Sequence, residues 1–381
     1  MTAEVILTNV RVVLADEIVR ASVRVADGRI ASVDPGTTSV PGAQDLDGDY
    51  LMPGLVELHT DNLEKHIQPR PKVHWPTSSA LLAHDTQVVA AGITTVLDAI
   101  AVGGTLSDDI RDHIVRESAE AIRSFRAADL LRADHHLHMR CEVANKDVLR
   151  LFEPFKDDPL VRLVSLMDHT PGQRQFVDID KLRIYYQGKH NMTEAAFQQL
   201  ISDRKESQKL YSEKHRRILV EMARASGHTM ASHDDATEEH VDEAAELGLT
   251  ISEFPTTMTA ARAARAKGLR TIMGGPNVVR GGSHSGNVSA GELAQAGVLD
   301  ALSSDYVPAS LLHGALLLHE RHGMTLPGAV ATVTRNPADM IGLDDRGRIE
   351  AGTRGDLIRV RILDDGVPVV RRVWRQGTQV L

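Results

Sequence analysis

Eight short apolar runs alternate with stretches of helical character through the middle of this 381-residue chain, and that alternation constrains the fold most. The runs are Leu55–Asp61, Thr94–Ile100, His136–Val143, Val161–His169, His228–His233, Thr250–Phe254, Arg270–Gly274 and Ala301–Asp305. Strands separated by helices are joined by crossovers and pair in parallel. Eight of them close a (β/α)8, TIM-like barrel, so an α/β barrel is expected. The two ends have a different texture. Val5–Val13, Ile18–Val25 and Ile30–Val33 precede the barrel runs, with a turn at Asp27-Gly28-Arg29; Asp356–Ile362 and Val367–Trp374 follow them. These ends are expected to pair as a small β-sandwich domain, residues 1–52 with 345–381, around a barrel at 53–344.

The stretch between the fourth and fifth runs is too long for an ordinary connection. It predicts a helical insertion at about 170–227: a loop over Thr170–Lys189, then a charged helical segment from Asn191 to about Ala225. That segment reads as a helical hairpin over the barrel mouth or at a subunit contact, with a plain solvated helix as the simpler reading.

Composition removes several function classes. A net charge of −9 argues against a general binder of nucleic acid or of an anionic membrane. The amino-terminal segment does not read as a secretory leader, no apolar run is of membrane length, and Cys141 is the only cysteine, which leaves no intrachain disulfide or cysteine-based zinc site. These features fit a cytoplasmic protein acting on a small molecule; a homo-oligomer stays open.

In a barrel, reacting groups gather at the carboxyl ends of the strands. Those ends here offer His59 and Asp61, Glu142, His169, His233 and Asp305. Alternation puts Leu55, Glu57, His59 and Asp61 on one face, and His136, His138, Arg140 and Glu142 on another. Imidazoles and carboxylates in this mixture suit two divalent ions, with zinc, manganese, magnesium and iron all acceptable. Each residue also has a plainer role. A histidine ending a strand is often a core or capping group, Asp61 could cap the helix that follows, Asp305 could cap a turn, and Glu142 could pair with Arg140. The coincidence of positions favours the metal reading.

The motif His59-Thr60-Asp61 after an apolar strand opened by Pro53-Gly54, the later His169 and His233, and Ser303-Ser304-Asp305 resemble the amidohydrolase superfamily. So does the tail, with Asn336-Pro337-Ala338, Gly347-Arg348-Ile349 and Gly355-Asp356-Leu357. The superfamily's usual second histidine is replaced here by Asp61, and its carboxylated lysine by Glu142. The blocks HTDNLEKH, HLHMRCEV, MDHTPGQRQ, ASHDDAT, EFPTT, GGPNVVRGGSHSGN and LSSDYVP are similar to one branch, the metal-dependent diphosphatases of bacterial carbon–phosphorus lyase (phosphonate) pathways.

That resemblance implies hydrolysis of a ribosyl 1-methylphosphonate 5-triphosphate to the 5-phosphate and pyrophosphate. It implies His59, Asp61 and Asp305 on one metal, His169 and His233 on the other, Glu142 between them, and Asp305 as the base. Strand counting places His169 and His233 one strand earlier than is usual, which leaves Glu253 as an alternative ligand. Arg70, Lys72, Arg174, Arg280, His284 and Asn287 are the candidates for holding phosphate. An amide or cyclic-amide hydrolase or deaminase is the alternative in the same superfamily, and a non-catalytic scaffold the second alternative.

Overall fold

The structure is a computed structural model; it describes residues 4–70, 73–104, 108–172, 174, 193–282 and 286–381, with backbone alone at 108–112. Strands β1 (Val5–Val13), β2 (Ile18–Ala26), β3 (Arg29–Pro35), β4 (Gln44–Asp45) and β5 (Tyr50–Pro53) open the chain. The barrel strands follow: β6 (Leu55–Thr60), β7 (Ile93–Val102), β8 (Asp134–Glu142), β9 (Val161–Met167), β10 (Thr229–His233), β11 (Ile251–Glu253), β12 (Arg270–Gly274) and β13 (Ala301–Ser303). Strands β14 (Leu357–Ile362), β15 (Pro368–Arg375) and β16 (Thr378–Gln379) end it. All eight expected core strands are present.

Strands β6 to β13 pair in chain order, each parallel to the next. The ring is completed where Thr60 bridges Asp305: Asp305 N–H donates to the His59 carbonyl at 3.0 Å and Asp61 N–H to the Asp305 carbonyl at 3.1 Å. Two candidate site loops are thus stitched together by backbone. Val56, Leu58, Leu97, Leu163, Ala231, Ile251, Ile272 and Ala301 fill the interior.

The chain ends join in one mixed sheet, ordered β16-β15-β14-β5-β1-β2-β3, with β4 on β1. Strand β5 lies between β1 and β14, so the amino- and carboxyl-terminal strands share one core of Leu7, Leu51, Leu357 and Trp374. Gly54 turns the chain from this sheet into the barrel. A Cβ there would lie 2.2 Å from Thr94 Oγ1, so only glycine fits the crossing.

The long polar segment forms one helix, Glu194–Ala225, capped at its start by the Thr193 hydroxyl. It is 32 residues long and unbroken, so the hairpin expectation is corrected to a single helix. Its sequence, although polar, contains no proline or glycine to break it, and Phe197, Ile201, Leu219, Val220 and Ala223 supply a buried stripe. Within the expected insertion, residues 173 and 175–192 lie outside the described residues.

Candidate metal centre

On β8 the expected alternation holds. Leu137, Met139, Cys141 and Val143 pack outward against the helices. His138, Arg140 and Glu142 turn to the other face, where His138 approaches His59, Arg140 lines the cleft and Glu142 meets His169. On β6 the simple alternation fails. Val56 and Leu58 join the interior while Leu55 packs outside, and a register shift against β7 between Glu57 and Thr60 returns His59 to the interior. The buried Glu57 carboxylate holds this irregular turn. It accepts the His59 N–H at 2.7 Å and the Ser304 N–H at 2.6 Å, and burial pushes its pKa up to about 8.

His59 and His233 are oriented by one buried carboxylate. Glu253 Oε1 lies 2.7 Å from His59 Nδ1 and Glu253 Oε2 lies 2.7 Å from His233 Nδ1, while the Ser165 hydroxyl donates to Oε2 at 3.0 Å. Burial alone would raise the Glu253 pKa, but the neighbouring His59 and the bonds from both Nδ1 atoms hold it well below its ordinary value. His138 bonds the Leu58 carbonyl through Nδ1 at 2.9 Å; burial lowers its pKa to about 3, which makes it a neutral ring.

Glu142 performs the same service for His169, with Oε2 at 2.7 Å from Nδ1 and Oε1 accepting the His169 backbone N–H at 3.1 Å. The His169 and His233 rings are 5.6 Å apart, and those of His59 and His233 are 5.9 Å apart. Three of the residues that end or follow the strands, Asp234, Phe254 and Asp305, have φ of 55°, 55° and 54°. Aspartate enters this left-handed region readily, whereas at the bulky Phe254 it stores strain of a kind that concentrates at working sites.

Asp61 occupies the N-cap position of helix α1 (Asn62–Ile67), yet its side chain makes no capping bond. Its Oδ1 is shut off from solvent without a hydrogen-bond partner among the described residues. A buried carboxylate oxygen in that state is costly, and a cation would satisfy it. Burial also raises the Asp305 pKa, with the Asp61 charge adding to the effect. His59, His169, His233 and Asp305 line one cleft with Arg140 and Asp234. Among the described residues, His59/His138/Glu253 and His169/His233/Asp234 each bring ligand atoms within 4.8 Å. Nitrogen and carboxylate donors of this kind fit divalent ions.

The cleft also receives Arg280, Gly282 and Asn287, together with Asn277. Gly275 seats this loop, since a Cβ would lie 2.8 Å from the Ser310 carbonyl oxygen. Two other expected phosphate contacts, Arg174 and Arg70, are not among the residues that line this cleft. Arg174 is buried behind the site, donating to Asp235 Oδ1 at 2.6 Å and to the His233 carbonyl at 2.9 Å. Buried Asp235 needs that partner, so Arg174 serves the strand end and not the cleft. Arg70 is exposed in a short bridge with Val73. Lys72 and His284 lie outside the described residues. Asp234, Ser165 and His138 went unassigned in the sequence; Asp234 directly follows His233, but no spacing separates it from an ordinary turn acid.

A (β/α)8 barrel with histidines and carboxylates at its strand ends defines the class of metal-dependent hydrolases. The chain belongs to the amidohydrolase family, whose model matches residues 87–381. It is 47% identical over 377 residues to the alpha-D-ribose 1-methylphosphonate 5-triphosphate diphosphatase of Escherichia coli (strain K12), covering 98% of this chain and 100% of that one. An allantoinase of Streptomyces avermitilis is 33% identical over 98 residues, 25% of this chain and 20% of that protein. Among solved structures, 5-methylcytosine deaminase from Klebsiella pneumoniae superimposes with a TM-score of 0.67 at 15% identity, covering 99% of this chain and 98% of that one.

Proposed function

We propose that this protein hydrolyses α-D-ribose 1-methylphosphonate 5-triphosphate to the 5-phosphate and pyrophosphate. The carrying observation is the 47% identity, end to end, with the diphosphatase of Escherichia coli. The allantoinase, L-hydantoinase and dihydroorotase relatives match across a quarter of the chain or less.

In this reading His59, Asp61 and Asp305 would hold one divalent ion and His169 and His233 the other, while Glu142, the bridge expected from the residue pattern, orients His169 with both its oxygens. Such ions, when bound, lower the pKa of water and neutralise charge on phosphoryl oxygens. Glu253 serves as the orienting group, because both its oxygens are taken by the Nδ1 atoms of His59 and His233. That fixes the tautomers and leaves each Nε2 for the cleft. The Asp305 carboxylate takes the proton of the attacking water. Arg280 and the amides of Asn277 and Asn287 meet the departing pyrophosphate, where a guanidinium fork matches phosphate oxygens.

No helix of the described residues is long and apolar enough to cross a membrane, and we place the reaction in the cytoplasm. Phosphorus NMR of the metal-loaded protein with the ribosyl triphosphate tests the reading. Pyrophosphate and a 5-phosphate are expected; release of orthophosphate alone, or ring opening of cyclic amides or deamination without triphosphate cleavage, would refute it.

A further inference from the structure

A second cleft opens on the other side of His169. Glu142, Asn145, Lys146, Arg204 and Ser207 line it, with Asp203 and Leu200, and His169 is the wall it shares with the cleft holding His59, His233 and Asp305. The segments after β7, β8 and β9 and the first half of the long helix Glu194–Ala225 build it.

Cleavage between the α and β phosphorus atoms imposes a geometry on any substrate. The scissile phosphorus sits at the centre, the pyrophosphate departs to one side, and the rest of the molecule occupies the other. A centre for this reaction therefore lies between two clefts of different chemistry, and the two observed differ in that way. Beside the centre's own Asp234 and Asp305, the first has Arg280, two asparagine amides and the glycine turn Gly281-Gly282, with φ of 78° and 145°, a set suited to a compact polyanion. The second mixes the cations Lys146 and Arg204 with the carboxylates of Glu142 and Asp203 and with the neutral Asn145 and Ser207. Asp203, Asn145 and Ser207 accept hydrogen bonds from sugar hydroxyls, while one or two cations match a singly charged phosphonate ester.

We infer that the cleft lined by Lys146 and Arg204 seats the ribosyl phosphonate end of the substrate, so these two side chains select for the phosphonate. The inference rests on the diphosphatase reading above. Binding energy collected from this remote, non-reacting end positions the α-phosphate against the centre.

The test compares pyrophosphate release from ribose 1-methylphosphonate 5-triphosphate and from ribose 5-triphosphate, which lacks the phosphonate. Lys146→Ala/Arg204→Ala is expected to lower kcat/KM for the first compound at least tenfold more than for the second. Arg280→Ala is expected to lower both by a similar factor. Lys146→Ala alone changes an exposed side chain, and it carries the same comparison if the double variant fails to fold. Equal losses on the two compounds in the Lys146 variants would overturn this inference alone. A wild-type protein that releases pyrophosphate from neither compound overturns the diphosphatase reading and this inference with it.

Discussion

His59 Nδ1 lies 2.7 Å from Glu253 Oε1, and that contact ties the first barrel strand to the sixth through a carboxylate that also holds His233. Glutamine at this position keeps the size but has one accepting oxygen, so only one of the two rings retains its partner. Groups that orient metal-binding histidines are worth about 10- to 100-fold in metal affinity. Glu253→Gln is therefore expected to weaken metal retention by about that factor, with an unchanged far-ultraviolet spectrum. Metal analysis after dialysis against a metal buffer reads it, and full retention would show that Glu253 is a passive core acid.

Asp305 closes the ring on β6 through its backbone and presents its carboxylate to the cleft. Its φ of 54° is left-handed, a conformation that asparagine adopts nearly as readily as aspartate. Asp305→Asn should thus keep the barrel while removing the base. Loss of a positioned base costs about 10²- to 10⁴-fold in rate, and kcat for pyrophosphate release is expected to fall by that much. A near wild-type rate in the folded variant would remove Asp305 from the proton transfer.

The eight strands were legible because each is an apolar run punctuated by helix and loop signals, and their ends fell where the candidate ligands stand. Alternation located the His138–Glu142 face correctly, since β8 pairs regularly along most of its length. It misjudged β6, where the register shift between Glu57 and Thr60 depends on pairing with β7 and on a carboxylate accepting from Ser304, far away in the chain. Arg174 was misassigned for a similar reason. A cation beside a candidate ligand looks the same whether it faces phosphate or a buried acid, and only the fold brings Asp235 against it.

Glu57 is expected to matter more for the barrel than for the reaction. Its two oxygens accept the His59 and Ser304 N–H groups at a fully buried position. Glu57→Leu leaves both donors unsatisfied, at a cost of about 1–3 kcal/mol for each buried group. Urea denaturation of the metal-free protein should show a correspondingly lower midpoint with little change in slope. An unchanged midpoint would mean that water or a backbone shift replaces the carboxylate.

His135 is held outside the barrel interior, between strands and helix α2 (Thr77–Ala90). Its Nδ1 lies 2.8 Å from Asp98 Oδ2 and its Nε2 lies 3.3 Å from Asp85 Oδ1, so both ring nitrogens face carboxylates. Asp98 also meets His84 Nε2 at 2.7 Å, and all of these side chains are fully buried. Burial works against charging the ring, but the Asp98 charge and the bonds to both acids outweigh it and raise the His135 pKa to about 9. An unfolded histidine titrates near ~6.5. The folded value is the higher one, so the stability this ring contributes is fully present below about pH 6.5 and is lost as pH rises toward 9. His135→Gln removes that proton site. The stability gap between wild type and variant should be widest at pH 6 and shrink steadily by pH 9, as urea midpoints across that range would record. A gap independent of pH would mean that the ring is neutral in the folded protein and contributes packing alone.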